Sequence, residues 1–170
     1  MRHFTRGWTN GELDDEESDG VVEAYRRRLV AIGSRLPEPA RRLAHEVSLH
    51  DAVIANIEWA PSNKKLTITL ATGTSESGYL TVSLAYLGAE LGEQRVEALR
   101  SVARDRETEV LYDEVDIGDD GGLIHRLLFW PREEVTIDFR ELQLHIEPRA
   151  DRRVHVGVRA FREVDPTESD

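Results

Sequence analysis

The sequence predicts an α+β chain: two N-terminal helices, then a mostly antiparallel sheet of about seven strands, with one further helix inserted after the third strand. Three observations carry this. Apolar residues recur at helical spacing before residue 50 and again between about 92 and 104; they recur with period two nearly everywhere else; and the links between period-two stretches are short. Consecutive strands joined by short turns pair antiparallel, which favours α+β over a doubly wound sheet.

The first helix is marked by Val22, Tyr25, Leu29 and Ile32, which fall on one face. Ser18 or Asp19 is the expected cap and Gly33 the expected stop. Residues 12–19, with six acids and no base, read as a solvated loop or lead-in to this helix, and some of Arg26, Arg27 and Arg28 are expected to answer them. Pro39 suits the first turn of a second helix carrying Ala40, Leu43, Ala44 and Val47 and ending near Ser48. Strands follow over Val53–Trp59 and Leu66–Leu70, then a polar, flexible connection from Thr72 to Gly78, then a strand over Tyr79–Leu87. The inserted helix spans about residues 92–104.

Beyond it, Glu109–Ile117 and Leu123–Trp130 form a hairpin around Gly118-Asp119-Asp120-Gly121-Gly122. Both faces of Leu123–Trp130 are apolar except at His125 and Arg126, so this strand is expected to be central and covered on both sides. Val135, Ile137 and Phe139 alternate, but the pattern resumes at Leu142, Leu144 and Ile146, one residue out of phase. A bulge or bend at Arg140-Glu141 repairs the register. Val154, Val156 and Val158 suggest a last strand, and residues 165–170 a frayed tail. No repeat or linker divides the chain, so one domain is expected over residues 1–170.

With 22 Lys plus Arg against 33 Asp plus Glu, the formal net charge of −11 argues against a duplex-binding role, because phosphates need clustered cations. No cysteine is present, which excludes disulfides, thiolate metal sites and cysteine nucleophiles. The start of the chain has no signal-like apolar run and no stretch is long enough to span a bilayer, so no membrane association and a cytoplasmic location are expected.

Metal chemistry has two candidate motifs. His45 and His50 are five residues apart, about 500° of helical rotation, so they point some 140° apart and cannot form the one-face pair of a zinc-protease helix. His50-Asp51 resembles the pair used by HD phosphohydrolases, but here it opens a strand and lacks the further helical ligands. The hairpin loop fails the calcium-loop pattern at two ligands, Gly118 and Leu127, when the count starts at Asp116. No metal and no cofactor are expected. His50 and Asp51 read first as a junction bonding loose backbone groups, and second as loop residues open to a partner. His125 reads as a satisfied core residue, and Arg126 as the partner of an acid such as Glu114 or Asp116 on the preceding strand. His145 and His155 fall in the last two strands. Trp59 and Trp130 end strands and are expected to seal core edges, whereas Trp8 is the tryptophan expected to be exposed.

Three segments together resemble a family of small bacterial proteins of unknown function: the opening Met1-Arg2-His3-Phe4-Thr5, the junction Leu49-His50-Asp51-Ala52, and the tail running from Leu111-Tyr112-Asp113-Glu114 through His125-Arg126-Leu127-Leu128-Phe129 to Glu134–Phe139. The junction is also similar to that of toxin-immunity-type domains. The acidic run after Gly11 departs from the pattern. The resemblance implies an intracellular bacterial α+β protein with a binding or immunity role.

Three functions are therefore weighed. The first is a non-enzymatic module for a basic protein partner, since acidic surfaces steer basic ones. Its expected surface is the hairpin with Asp113, Glu114, Asp116, Asp119 and Asp120, together with His50, Asp51, His125 and Arg126. The second is a self-assembling module that forms a homo-oligomer through a sheet edge or face. The third is a hydrolase, which requires His50, Asp51 and His125 to meet in one cleft.

Overall fold

The computed structural model describes residues 1–151, 153–154 and 161–164. A short helix α1 (Arg6–Thr9) precedes α2 (Asp15–Ile32) and α3 (Glu38–Glu46). Strands β1 (Val53–Ala60), β2 (Lys65–Thr74) and β3 (Gly78–Leu87) come next, then α4 (Glu93–Arg104). The remaining strands are β4 (Glu109–Ile117), β5 (Leu123–Trp130), β6 (Glu134–Phe139), β7 (Glu141–Arg149) and β8 (Phe161–Glu163). The chain is α+β with a mostly antiparallel sheet and one helix after the third strand, as its periodicity predicts.

Four local expectations need correction. The acidic run straddles the start of α2: Glu12 and Leu13 lead in, Asp14 is the cap in place of Ser18 or Asp19, and Asp15–Asp19 lie within the helix. The Asp14 carboxylate accepts the Glu17 N–H at 2.9 Å, while Glu17 accepts the Asp14 N–H at 3.2 Å. This reciprocal box occupies two otherwise unpaired donors, and the acids of the first turn sit at the positive end of the helix dipole. The connection after β2 is also tighter than its polarity suggests. β2 runs on to Thr74, Ser75–Ser77 make the turn, and the Thr74 and Ser77 hydroxyls lie 3.0 Å apart. Trp130, expected to seal the core, is 52% exposed, whereas Trp59 is buried. Val156, Val158 and His155 lie outside the described residues, as does the 165–170 tail; Val154 is in no strand, and the last described strand is β8.

The strand order is β6-β5-β4-β1-β2-β3-β7, with β8 parallel to β1. The two ends of this path are neighbours in sequence, separated by Arg140 alone. One bent strand therefore leaves the β5 edge and joins the β3 edge, and the Arg140 N–H donates to the Leu87 carbonyl at 2.9 Å at the corner. This is the physical content of the predicted slip in register. Val135, Ile137 and Phe139 face the core from one edge, and Leu142, Leu144 and Ile146 face it from the other.

The sheet splays between β1 and β4, which pair at Val53 and Glu109, while Ile57–Trp59 of β1 bond β8 instead. Two half-sheets result, β4-β5-β6 and β8-β1-β2-β3-β7. Helix α4 packs on β1, β6 and β8 across the opening, α2 packs on β4, and α3 packs on β4 and β7. Between the layers Ile32, Leu43, Leu66, Tyr86, Leu99 and Phe129 are fully buried. Burial of a large apolar side chain is worth about 1.5–3 kcal/mol, so each such contact helps hold helix to half-sheet.

Candidate interaction site

Side chains on β4 alternate between two environments. Asp113 and Val115 face inward with His125 of β5, while Glu114 and Asp116 face the N-terminal segment and α2 with Arg126. His125 is 0% exposed and both its ring nitrogens are engaged. Nε2 donates to the Asp113 carboxylate at 3.0 Å, which leaves Nδ1 to accept from the Tyr86 hydroxyl at 2.8 Å. Burial, reinforced by the Asp113 charge, pushes the Tyr86 phenol well above its ordinary range and keeps it a donor. The core reading of His125 thus has its partners.

Glu114 is 0% exposed inside an otherwise alternating strand. Its carboxylate accepts the backbone N–H groups of Arg2, His3 and Phe4 at 2.6–3.1 Å, with Arg126 3.5 Å away. A buried carboxylate demands such donors, and here they strap residues 2–4 across the face of β4. The strap continues into α1, where the Arg6 guanidinium donates to the carbonyls of Phe129, Pro131 and Glu133. The Met1 amine pairs with Glu134, and burial lowers its pKa.

Asp116 takes Arg28 Nε at 2.8 Å and Arg126 at 3.3 Å. Burial alone would raise its carboxyl pKa, but Arg28, the Ile117 N–H and Arg126 together hold it below the usual range. Arg126 therefore pairs with both expected acids. Arg28 answers Asp116 rather than the acidic run. The expected hairpin surface is accordingly much reduced: Glu114 and Asp116 are interior, Asp113 is committed to His125, and only Asp119 and Asp120 are exposed. Asp120 is itself occupied by the Gly122 N–H and by Arg140 at 3.2 Å, the N–H lowering its carboxyl pKa most.

The exposed acids lie elsewhere. Glu12, Asp14, Asp15, Glu16, Glu17 and Asp19 are all exposed at the start of α2. Beside them, Trp8 Nε1 donates to the Ser18 carbonyl at 3.4 Å. From Trp8 a series of ring contacts leads away: Phe4 at 5.0 Å, Tyr112 at 4.8 Å, and from Tyr112 to His50 at 5.1 Å. One face thus joins the acidic turn of α2, through half-buried rings, to His50 and Asp51. Periodicity did not reveal this face, since Phe4, Trp8 and Tyr112 come from three separate segments.

His50 and Asp51 are half-exposed and line a cavity of about 400 Å³ together with Glu46 and the β2–β3 turn. The His50 side chain makes the junction bond expected of it, whereas Asp51 bonds the junction through its backbone N–H. His50 Nδ1 donates to the Leu111 carbonyl at 2.6 Å, and the Asp51 N–H to the Val110 carbonyl at 2.8 Å. Asp51 adopts a left-handed backbone, φ 58°, which Asp tolerates better than most residues. His125 does not meet them: it is sealed in the core, bonded to Tyr86 and Asp113, so the three residues of the hydrolase reading share no cleft. Among the described residues no group of three or more His, Asp or Glu is placed to hold a metal, and no helix is long and apolar enough to cross a membrane.

No curated protein and no solved structure matches the chain. A family model described as a protein of unknown function, DUF4085, matches residues 1–139, from the strap to the last residue of β6. That stretch holds the strap, its Glu114 anchor, the ring cluster and the His50–Asp51 junction, and at 139 of 170 residues it is most of the chain. The chain belongs to this family, DUF4085, whose function is unknown.

Proposed function

We propose that the protein is a non-catalytic binding module that takes a basic protein partner on the face running from the first turn of α2 to His50 and Asp51. The observation that carries this is the exposed acidic turn, Glu12 to Asp19, set beside the half-buried rings of Trp8 and Tyr112. Acids at this density steer cationic surfaces and raise association rates, while aromatic rings offer flat area and cation–π contact. Two nearby cations are used elsewhere, Arg28 on Asp116 and Arg6 on the β5–β6 carbonyls. The groups with catalytic chemistry, His125 and Glu114, are likewise engaged in holding the fold. In its finer form the reading is immunity-like: the partner is a basic toxin or nuclease whose site this face covers.

The test is capture of partners at low salt by the wild-type chain and by a Glu12→Gln/Asp15→Asn/Glu16→Gln/Asp19→Asn variant, which leaves the Asp14–Glu17 cap intact. The expected result is one basic protein, retained by the wild type, released as salt rises and lost from the variant. Retention by both chains equally, or no specific partner, would overturn the reading.

A further inference from the structure

The cavity beside the helix–strand junction narrows what the basic partner presents. We propose that it seats an arginine side chain of that partner, its guanidinium bridging His50 and Asp51. The proposal rests on the partner being basic and adds the identity of the anchoring group.

The hydrogen bond of His50 fixes its tautomer. The Leu111 carbonyl can only accept, so the 2.6 Å contact requires the proton on His50 Nδ1. In the neutral ring Nε2 is then a bare acceptor, and it lies 3.5 Å from Asp51 Oδ1. Two acceptors facing each other with no proton between them repel, and a donor-rich cation completes the pair. The His50 acceptor is held in place, and so is the backbone from which the Asp51 carboxylate projects. Leu111 pins the imidazole, and the Asp51 N–H bond to Val110 locks the residue in its left-handed conformation. A non-glycine residue kept at positive φ by a tertiary bond is a feature that often accompanies function.

The rest of the cavity suits the same ligand. Glu46 adds a second carboxylate to the wall, one oxygen of which already accepts from Arg42 Nε at 3.1 Å, and among the described residues no Lys or Arg is part of the lining. Guanidinium offers five N–H donors in a rigid planar fork, so it can give one to Nε2 and others to carboxylate oxygens at once. An ammonium is a compact point charge and fits this divided acceptor set less well. A volume of about 400 Å³ accommodates one side chain. Outside the cavity lining, the Tyr112 ring lies 5.1 Å from the His50 ring and 4.8 Å from that of Trp8, toward the acidic turn where neighbouring cations of the partner would lie.

The test is a titration of isotope-labelled protein with N-acetyl-Gly-Arg-Gly amide, followed by NMR at the His50 ring and the Asp51 and Ala52 amides. The lysine and citrulline counterparts serve as controls, citrulline having the same shape without the charge. Saturable shifts are expected with the arginine peptide, with binding about 10-fold weaker for citrulline and about 10-fold weaker in Asp51→Asn. Asp51→Gly, which suits the left-handed backbone, removes the carboxylate without straining the fold and should behave as Asp51→Asn does. Equal shifts with citrulline, unchanged binding in both Asp51 variants, or no saturable shift would overturn the proposal. A basic partner captured by the acidic turn while the arginine peptide leaves His50 unmoved would sink this inference alone. Specific arginine binding with no basic partner found would leave it standing and remove the broader reading.

Discussion

The hydroxyl of Tyr86 on β3 and the ring Nδ1 of His125 on β5 lie 2.8 Å apart in the core, joining the two half-sheets through one buried hydrogen bond. His125 extends the link to Asp113, so a polar chain crosses an interior otherwise built from aliphatic and aromatic groups. Tyr86→Phe keeps the ring and its edge contact with Phe139 but leaves His125 Nδ1 without a donor. The expected loss is about 1–3 kcal/mol by urea denaturation. In a His125→Phe background, where no Nδ1 is left to satisfy, Tyr86→Phe should cost less, the Asp113 carboxylate having lost its partner in both chains of that comparison.

The strap over β4 depends on Glu114. Glu114→Gln turns an amide NH2 toward donors that now meet a carboxylate, and it removes the charge facing Arg126. Stability is expected to fall by about 2–4 kcal/mol, with the backbone amides of His3 and Phe4 losing protection in hydrogen exchange. Unchanged protection at these amides would show that the carboxylate does not hold the strap.

Asp116 should make stability depend on pH in the acid range. Its folded carboxyl titrates below the ordinary value of about 3.9, because Arg28 and the Ile117 N–H outweigh its burial. The folded state therefore binds fewer protons there than the unfolded chain. The stabilisation is complete above the ordinary carboxyl pKa and is lost as pH falls through the lower folded value. In Asp116→Asn this part of the slope disappears, which denaturation midpoints measured from about pH 6 to pH 2 will show.

The β2–β3 turn should not tolerate a side chain at Gly73. Its φ is 99°, and a Cβ there would come within 2.1 Å of the Gly78 carbonyl oxygen. Gly73→Ala is expected to lower the melting temperature by several degrees, corresponding to about 2 kcal/mol or more, whereas alanine at Gly20, with open space around it, should be neutral or stabilising.

Local pattern was enough for most of the elements, though not for the short α1 or for β8. Periods of 3.6 and 2 placed α2, α3, α4 and β1–β7, and the phase slip at Arg140 marked the corner where one strand changes sheet edge. These are properties of adjacent residues facing a common interior, so sequence spacing carries them. The Arg126 pairing with Glu114 and Asp116 was legible for the same reason, since hairpin neighbours face each other at a nearly fixed register. Tertiary structure decided which acids are surface. Glu114 and Asp116 looked like part of an acidic patch, but the strap and α2 cover them, and their partners Arg2, His3, Phe4 and Arg28 lie some 88–112 residues away. The acidic run before residue 20, which read as a loop or lead-in, supplies the cap and exposed first turn of a helix, joined through Trp8 and Tyr112 to His50. A charge is read from one residue, but whether it is buried, paired or open depends on segments that meet only when the sheet closes.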